Sequence, residues 1–299
     1  TYLEMPNDNI KSYLNLHLIV FIWGFTAILG GLISLEALPL VWYRMMVAVF
    51  LVLLYLLYRK RPIAVSGTTL VKFLLGGLVI ALHWLTFFMG IKVSNISVTL
   101  ACLSTGAFFA SFLEPIFYGR KMIWYEVLFG LIVVLGLGII FNVEGDHVNG
   151  IILALTSAFL SALFSVINGK FAQKHDAGVI TFYELLGGVG FLTVYMLVSG
   201  YFTREFFVLS LSDCIWLLVL GSVCTAYAFL ASVKVMKYLS PYTVMLTINL
   251  EPIYGIILAV LVFREKEKMS PSFYVGAAII LLTVLLNGIA KNYKKIKTN

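Results

Sequence analysis

Apolar runs of about twenty residues follow one another along almost the whole chain, separated by only a few polar residues. An α-helix rises 1.5 Å per residue, so about twenty residues cross the roughly 30 Å hydrocarbon core of a bilayer. On that scale the spacing predicts spans near 14–34, 39–58, 70–91, 96–118, 122–141, 149–169, 179–199, 212–233, 241–263 and 271–289. The runs are continuous rather than alternating, which excludes a spanning β-barrel. Connections this short leave no room for a soluble domain. Composition agrees: 61% of the 299 residues are hydrophobic and 12% charged, whereas a soluble domain carries roughly a quarter charged residues. The expected class is an all-α membrane protein with ten transmembrane helices.

The net charge of +7 does not mark a nucleic-acid binder, because the basic residues are scattered over loop ends and form no basic face. Retention of Lys and Arg on the cytoplasmic side explains it better. With the N-terminus inside, 15 Lys and Arg fall on inside segments, among them Arg59, Lys60, Arg61, Lys234 and Lys237. Five fall outside: Lys92, Arg204, Arg264, Lys266 and Lys268. Both termini are therefore expected inside. The cluster at 264–268 dissents and is partly offset by Glu265 and Glu267. The first apolar segment has no basic leader and no A-x-A site, so a cleavable signal peptide is not expected. Cys102, Cys214 and Cys224 lie in or beside apolar spans without CxxC spacing and read as small packing residues.

Local patterns recur across the middle of the chain. Val41-Trp42-Tyr43-Arg44 answers Thr181-Phe182-Tyr183-Glu184, Gly24 answers Gly169, Lys92 answers Lys237, and Gly130 answers Gly276. The offsets cluster between 140 and 146 residues. The chain thus divides into residues 1–143 and 144–299, two five-helix repeats with an acidic hinge at Glu144 and Asp146. Five is odd, so the second repeat must run inverted relative to the first. Inverted repeats are common in secondary transporters, with substrate near the midplane between the halves. Ala154, Ala158 and Ala162, beside Ser157, Ser161 and Ser165, form small-residue rows that allow close helix packing in lipid.

Trp23-Gly24, Arg44, Asn249-Leu250-Glu251-Pro252, Glu265 and Gly276 together resemble the drug/metabolite transporter superfamily, specifically its EamA-type permeases. The resemblance covers nearly the whole chain. It implies ten helices in two inverted repeats, both termini inside, and carriage of amino acids, related metabolites, sugars or drugs, often as export across a bacterial inner membrane. Two departures stand out. Tyr118-Gly119-Arg120 occupies the place where the first repeat usually ends its fourth span with Glu. Leu113-Glu114-Pro115 is out of register with Leu250-Glu251-Pro252 and is not its symmetry mate.

Ionisable groups within a span are expensive and usually face a cavity or a partner. Glu251 sits mid-span, and Pro252 beside it leaves the carbonyl of Ile248 without its helical donor, which predicts a kink and a cation, amine or proton site. A structural hydrogen-bond network is the competing reading. Arg44 and Glu184 fall near opposite ends of equivalent spans, where they could bind the two charges of a zwitterion, gate the two mouths, or simply anchor at the interface. His83 and Trp84 could supply a polar donor and a stacking face. Trp23, Tyr43, Asn168, Tyr183, Tyr227, Asn249 and Tyr254 complete the candidate cavity lining.

A membrane enzyme, such as a lipid-modifying transferase, is the competing class. The sequence contains no HExxH, GxSxG or P-loop, and His17, His83, His147 and His175 show no metal-ligand spacing. No catalytic residue, metal or cofactor is expected. The expectation is a secondary carrier of a small zwitterion, most naturally an amino acid, working by alternating access with protons as a candidate coupling ion. Lipid is its environment; monomer and homodimer both remain open.

Overall fold

The computed structural model describes residues 10–119, 121, 124–143, 147–239 and 241–298. The proposed hinge residues Glu144 and Asp146, and Arg120 before them, lie outside the described residues. The rest is helical: α1 (Ile10–Leu32), α2 (Ala37–Tyr58), α3 (Gly67–Val93), α4 (Ile96–Leu103), α5 (Gly106–Tyr118), α6 (Trp124–Val143), α7 (Val148–Phe171) and α8 (Ala177–Val198). α9 (Leu211–Val219) runs through a π-helical stretch, 220–227, into α10 (Ala228–Val235). α11 (Pro241–Ile248), α12 (Glu251–Phe263) and α13 (Pro271–Thr298) follow. Among the described residues, eight segments are long and apolar enough to cross a membrane. α6 and α13 add shorter apolar stretches, Leu128–Ile140 and Pro271–Thr283.

The runs over 96–118 and 241–263 are each broken into two helices. The first breaks at Ser104-Thr105, where both hydroxyls donate to carbonyls three residues back at 2.5 and 2.8 Å. The second breaks at Asn249-Leu250, just before Glu251 and Pro252. The expected kink at Pro252 is thus a full interruption placed two residues earlier, with proline in the tolerated first turn of α12. Pro115, by contrast, is accommodated inside α5. α4 and α11 begin and end 145 residues apart, and so do α5 and α12; α2 and α8 begin and end 140 apart.

Packing follows the same correspondence. α1 packs on α12 and α7 on α5; α4 packs on α12 and α5 on α11; α2 meets α8, and α6 meets α13. α3 packs extensively against both α7 and α8. Ala154, Ala158 and Ala162 are fully buried there, as the small-residue row requires for close approach. Gly77 of α3 lies against the backbone of Glu184 and Gly188 on α8, with a Cβ at Gly77 reaching the Glu184 carbonyl oxygen and only 2.9 Å from the Gly188 nitrogen.

The helix ends gather into two sets. At one end, Asp213 accepts hydrogen bonds from Ser34 N (2.7 Å), Ser34 Oγ (2.6 Å) and Ser210 Oγ (2.7 Å), and Lys92 Nζ donates to Ile33 O at 2.6 Å. Glu267 caps α4 there by accepting from Ile96 N (3.0 Å), Ser97 N (2.9 Å) and Ser97 Oγ (2.9 Å). Both clasps join the first half of the chain to the second. At the other end lie Arg59, Arg61, His175, Lys234 and Lys237, around one shared pocket.

Gly77→Ala is expected to destabilise the folded protein by about 1–3 kcal/mol through overpacking. Gly190→Ala, on the same α8 but facing open space, should leave it unchanged. Thermal unfolding followed by size-exclusion chromatography in detergent distinguishes the two.

Candidate functional site

Between the halves lies a cavity of about 60 Å³. Its wall carries Trp23 and Thr26 of α1, Arg44 of α2, His83 and Trp84 of α3, Ser161 and Ser165 of α7, Phe229 and Ser232 of α10, and Glu251 at the start of α12. On this measure one water needs about 10–15 Å³, so the space has room for several waters.

Arg44 is 1% exposed, and its guanidinium is held from two sides. Nε and Nη2 donate to Thr225 Oγ1 at 3.1 and 2.8 Å. The Trp84 ring covers its face at 4.1 Å, with Phe88 at 5.3 Å, as cation–π attraction favours. Thr225 Oγ1 in turn donates to Leu220 O at 2.7 Å, five residues back, which is the π-helical register. The hydroxyl's donor and both lone pairs are thereby used. The same stretch presents the Cys224 carbonyl, which accepts from Trp23 Nε1 at 3.1 Å. π-helical turns inside α-helices are often found at functional sites; here the turn aims one hydroxyl at Arg44 and one carbonyl at Trp23.

Nη1 of Arg44 remains buried with no hydrogen-bond partner. Glu251 is 7% exposed, and among the described residues neither its carboxylate nor Arg44 forms an ion pair. The Arg44 guanidinium and the Glu251 carboxyl group thus line one space without direct contact. His83 completes the polar wall: its Nδ1 lies 2.9 Å from both Ser157 O and Ser157 Oγ, and Ser157 Oγ donates to the His83 carbonyl at 3.0 Å. Phe229 stacks on Phe164 at 5.2 Å and meets Trp84 edge-on at 5.6 Å.

Of the twelve residues expected in the lining, the structure brings five together here: Trp23, Arg44, His83, Trp84 and Glu251. The others lie elsewhere. Glu184 is completely buried, accepting from Asn168 Nδ2 at 2.9 Å, with Oε2 and Asn168 Oδ1 left unpaired. The tight α3–α8 contact turns it toward Gly76 rather than the cavity. Tyr43 donates to Phe206 O at 2.8 Å within an aromatic cluster of Trp42, Phe202 and Phe206. Tyr183 donates to Ile63 O at 2.9 Å. Tyr227 is half-exposed on a lateral groove. Tyr254 packs Cβ-first against Gly24. Asn249 is buried at the α11–α12 break with Nδ2 unpaired.

Thr225, Thr26 and Phe229 were not expected. Nothing in Leu220-Gly221-Ser222-Val223-Cys224-Thr225 distinguishes a π turn from an α turn in an apolar run. Ser161 and Ser165 carried a signal, but their four-residue period marks packing equally well.

The EamA-like transporter family matches residues 10–142 and again 148–289. The chain belongs to the EamA-like transporter family. It is a multi-pass membrane transporter, and its membership of the drug/metabolite transporter superfamily follows. An "Uncharacterized transporter" of Archaeoglobus fulgidus is 24% identical over 292 residues, covering 93% of this chain and 97% of that protein. "Uncharacterized transporter YdfC" of Bacillus subtilis is 21% identical over 297 residues, covering 98% and 94%. A solved structure described as "Crystal structure of protein" superposes with a TM-score of 0.68 at 15% identity, covering 92% of this EamA-like chain and 96% of its own, and shares its fold.

Thr225→Val leaves two guanidinium donors of Arg44 without an acceptor, so a stability loss of about 1.5–3 kcal/mol is expected for a hydrogen bond to a charged group. Thr225→Ser keeps the acceptor and should lose much less. Thermal unfolding of the three proteins in one detergent measures the difference.

Proposed function

We propose that this EamA-like protein is a secondary carrier, not an enzyme, whose substrate site is the cavity walled by Arg44 and Glu251. The observation that carries the reading is that Arg44, whose Nη1 is buried without a partner, and Glu251 line one cavity between the halves. Buried donors are almost always satisfied, and leaving a charged one unmet is costly. A substrate carboxylate would satisfy Nη1, and its ammonium would meet Glu251. The substrate class is therefore a small zwitterion, most naturally an amino acid, with Trp23, Trp84 and Phe229 offering apolar contact to its side chain.

The carrier has ten membrane helices in two repeats, 1–143 and 144–299. The shared offsets of helix bounds and the paired packing of corresponding helices support that division. With five helices per repeat the second runs inverted, and alternating access follows as rocking of one half against the other. Both termini face the cytoplasm in this reading, since Arg59, Arg61, Lys234 and Lys237 share one end. The clasps at Asp213 and Glu267 then close the outer mouth. Transport is export across a bacterial-type inner membrane, and Glu251 is the group through which protons would couple.

Counterflow in proteoliposomes, with a panel of labelled amino acids, amines and sugars, tests the reading. Wild-type protein is expected to accumulate an amino acid. Arg44→Gln and Glu251→Gln should each lose at least tenfold in rate while remaining monodisperse, and Glu251→Gln should lose any dependence on a pH gradient. Full counterflow by both variants would remove these charges from the site, and uptake of sugars or amines alone would replace the zwitterion.

A further inference from the structure

A second, larger space lies outside the central cavity, on the seam where the two halves of the chain meet. A groove of about 520 Å³ opens laterally between α1, α2 and the α9–α10 rod. Its walls are mainly apolar, with Ile19, Leu51, Val52, Ala226, Leu230 and Ala231 among them and Ser222 and Tyr227 interspersed. At one end it turns polar and runs into a separate pocket of about 180 Å³, with which it shares Tyr55, Leu230, Lys234 and Tyr238.

That pocket is cationic. Arg59 and Arg61 enter from the end of α2, and Lys234 and Lys237 from the end of α10, with His175 beside them. Among the described residues Asp176 is the one acidic side chain on its wall, and it is engaged in capping α8, accepting from Gly178 N at 2.9 Å. Among the described residues none of the four cations forms an ion pair. An apolar slot continuous with four unneutralised cations is complementary to an anionic amphiphile. The dimensions agree: along α2 the lining runs from Leu51 to Arg59, about 12 Å of helix, against roughly 15 Å for one leaflet of the hydrocarbon core.

We propose that this groove binds an anionic phospholipid, one acyl chain lying along Leu51, Ala226 and Leu230 and its phosphate held by Arg59, Arg61, Lys234 and Lys237. Arg59 and Arg61 belong to the first half of the chain and Lys234 and Lys237 to the second, so the phosphate bridges the halves at the end opposite the Asp213 and Glu267 clasps. Basic pockets between membrane helices suit such head groups, and four cations converging from two helices do so more specifically than scattered loop lysines. Anionic lipid would thereby favour the state in which these two helix ends are close.

Full-length protein in a neutral detergent is titrated with phosphatidylglycerol, with phosphatidylcholine of the same chains, and with glycerol phosphate, following bound mass by native mass spectrometry and thermal unfolding. Phosphatidylglycerol is expected to be retained and to raise the unfolding midpoint, and the other two are not. Arg59→Gln/Lys234→Gln should weaken retention roughly tenfold or more, whereas Lys268→Gln at the opposite end should not. Leu230→Trp, which fills the slot and leaves every cation, should abolish retention. Equal binding of phosphatidylcholine would overturn the anionic assignment, equal stabilisation by glycerol phosphate would reduce the site to a free-phosphate site, and retention unchanged by both groove variants would place the lipid elsewhere.

Discussion

A guanidinium deep in a bilayer is tolerated only where the protein replaces the water it has lost. Arg44 meets that condition through Thr225, Trp84 and Phe88, which come from two other helical rods. The requirement reaches further than the contacts themselves. Thr225 can accept from Arg44 because the α9–α10 rod is wound as a π-helix there, and the same winding offers the Cys224 carbonyl to Trp23 on α1. One buried cation thus fixes the mutual placement of α1, α2, α3 and the α9–α10 rod, the helices that wall most of the cavity.

Lipid also dictates where the irregular backbone sits. Non-helical backbone at membrane depth survives only when buried in protein or facing a cavity. Both broken rods obey this. The Ser104-Thr105 break is covered on every side and satisfied by its own hydroxyls, while the Asn249-Leu250 break delivers Glu251 to the cavity wall with the helix resuming behind it. Position 251 lies 145 residues after Gly106. Where one half places a carboxylate, the corresponding place in the other holds no side chain. α5 and α12 thus match in their bounds and differ in charge, and among the described residues the cavity wall carries one acidic group, Glu251, and one Arg, Arg44.

The helices were largely legible in the sequence because length and hydrophobicity alone specify a spanning run, and lipid permits few alternatives. The breaks were not. Pro252 pointed to one of them, while Pro115 lies within α5 without breaking it, since a proline in lipid disrupts only as far as neighbouring groups allow. Ser104-Thr105, without a proline, breaks because two hydroxyls compete for the local carbonyls. In the site, Arg44 and Glu251 were legible as costly charges. Glu184 looked equivalent to Arg44 by its offset, yet the glycine contacts between α3 and α8 rotate it out of the cavity. Aromatic candidates such as Tyr43 and Tyr183 read identically to Trp23 in the sequence and differ in the carbonyl each one reaches.

In the proposed carrier, the space between Arg44 and Glu251 is reached from both sides of the membrane in turn. Ser161 lines that space on α7 without contacting either charge through a hydrogen bond. A single cysteine at Ser161, in protein whose Cys102, Cys214 and Cys224 have been replaced, can be probed with a membrane-impermeant thiol reagent applied to either side of oriented vesicles. Labelling from both sides, slowed from both by the transported zwitterion, is expected of alternating access. Labelling from one side alone, unaffected by any transported solute, would contradict it.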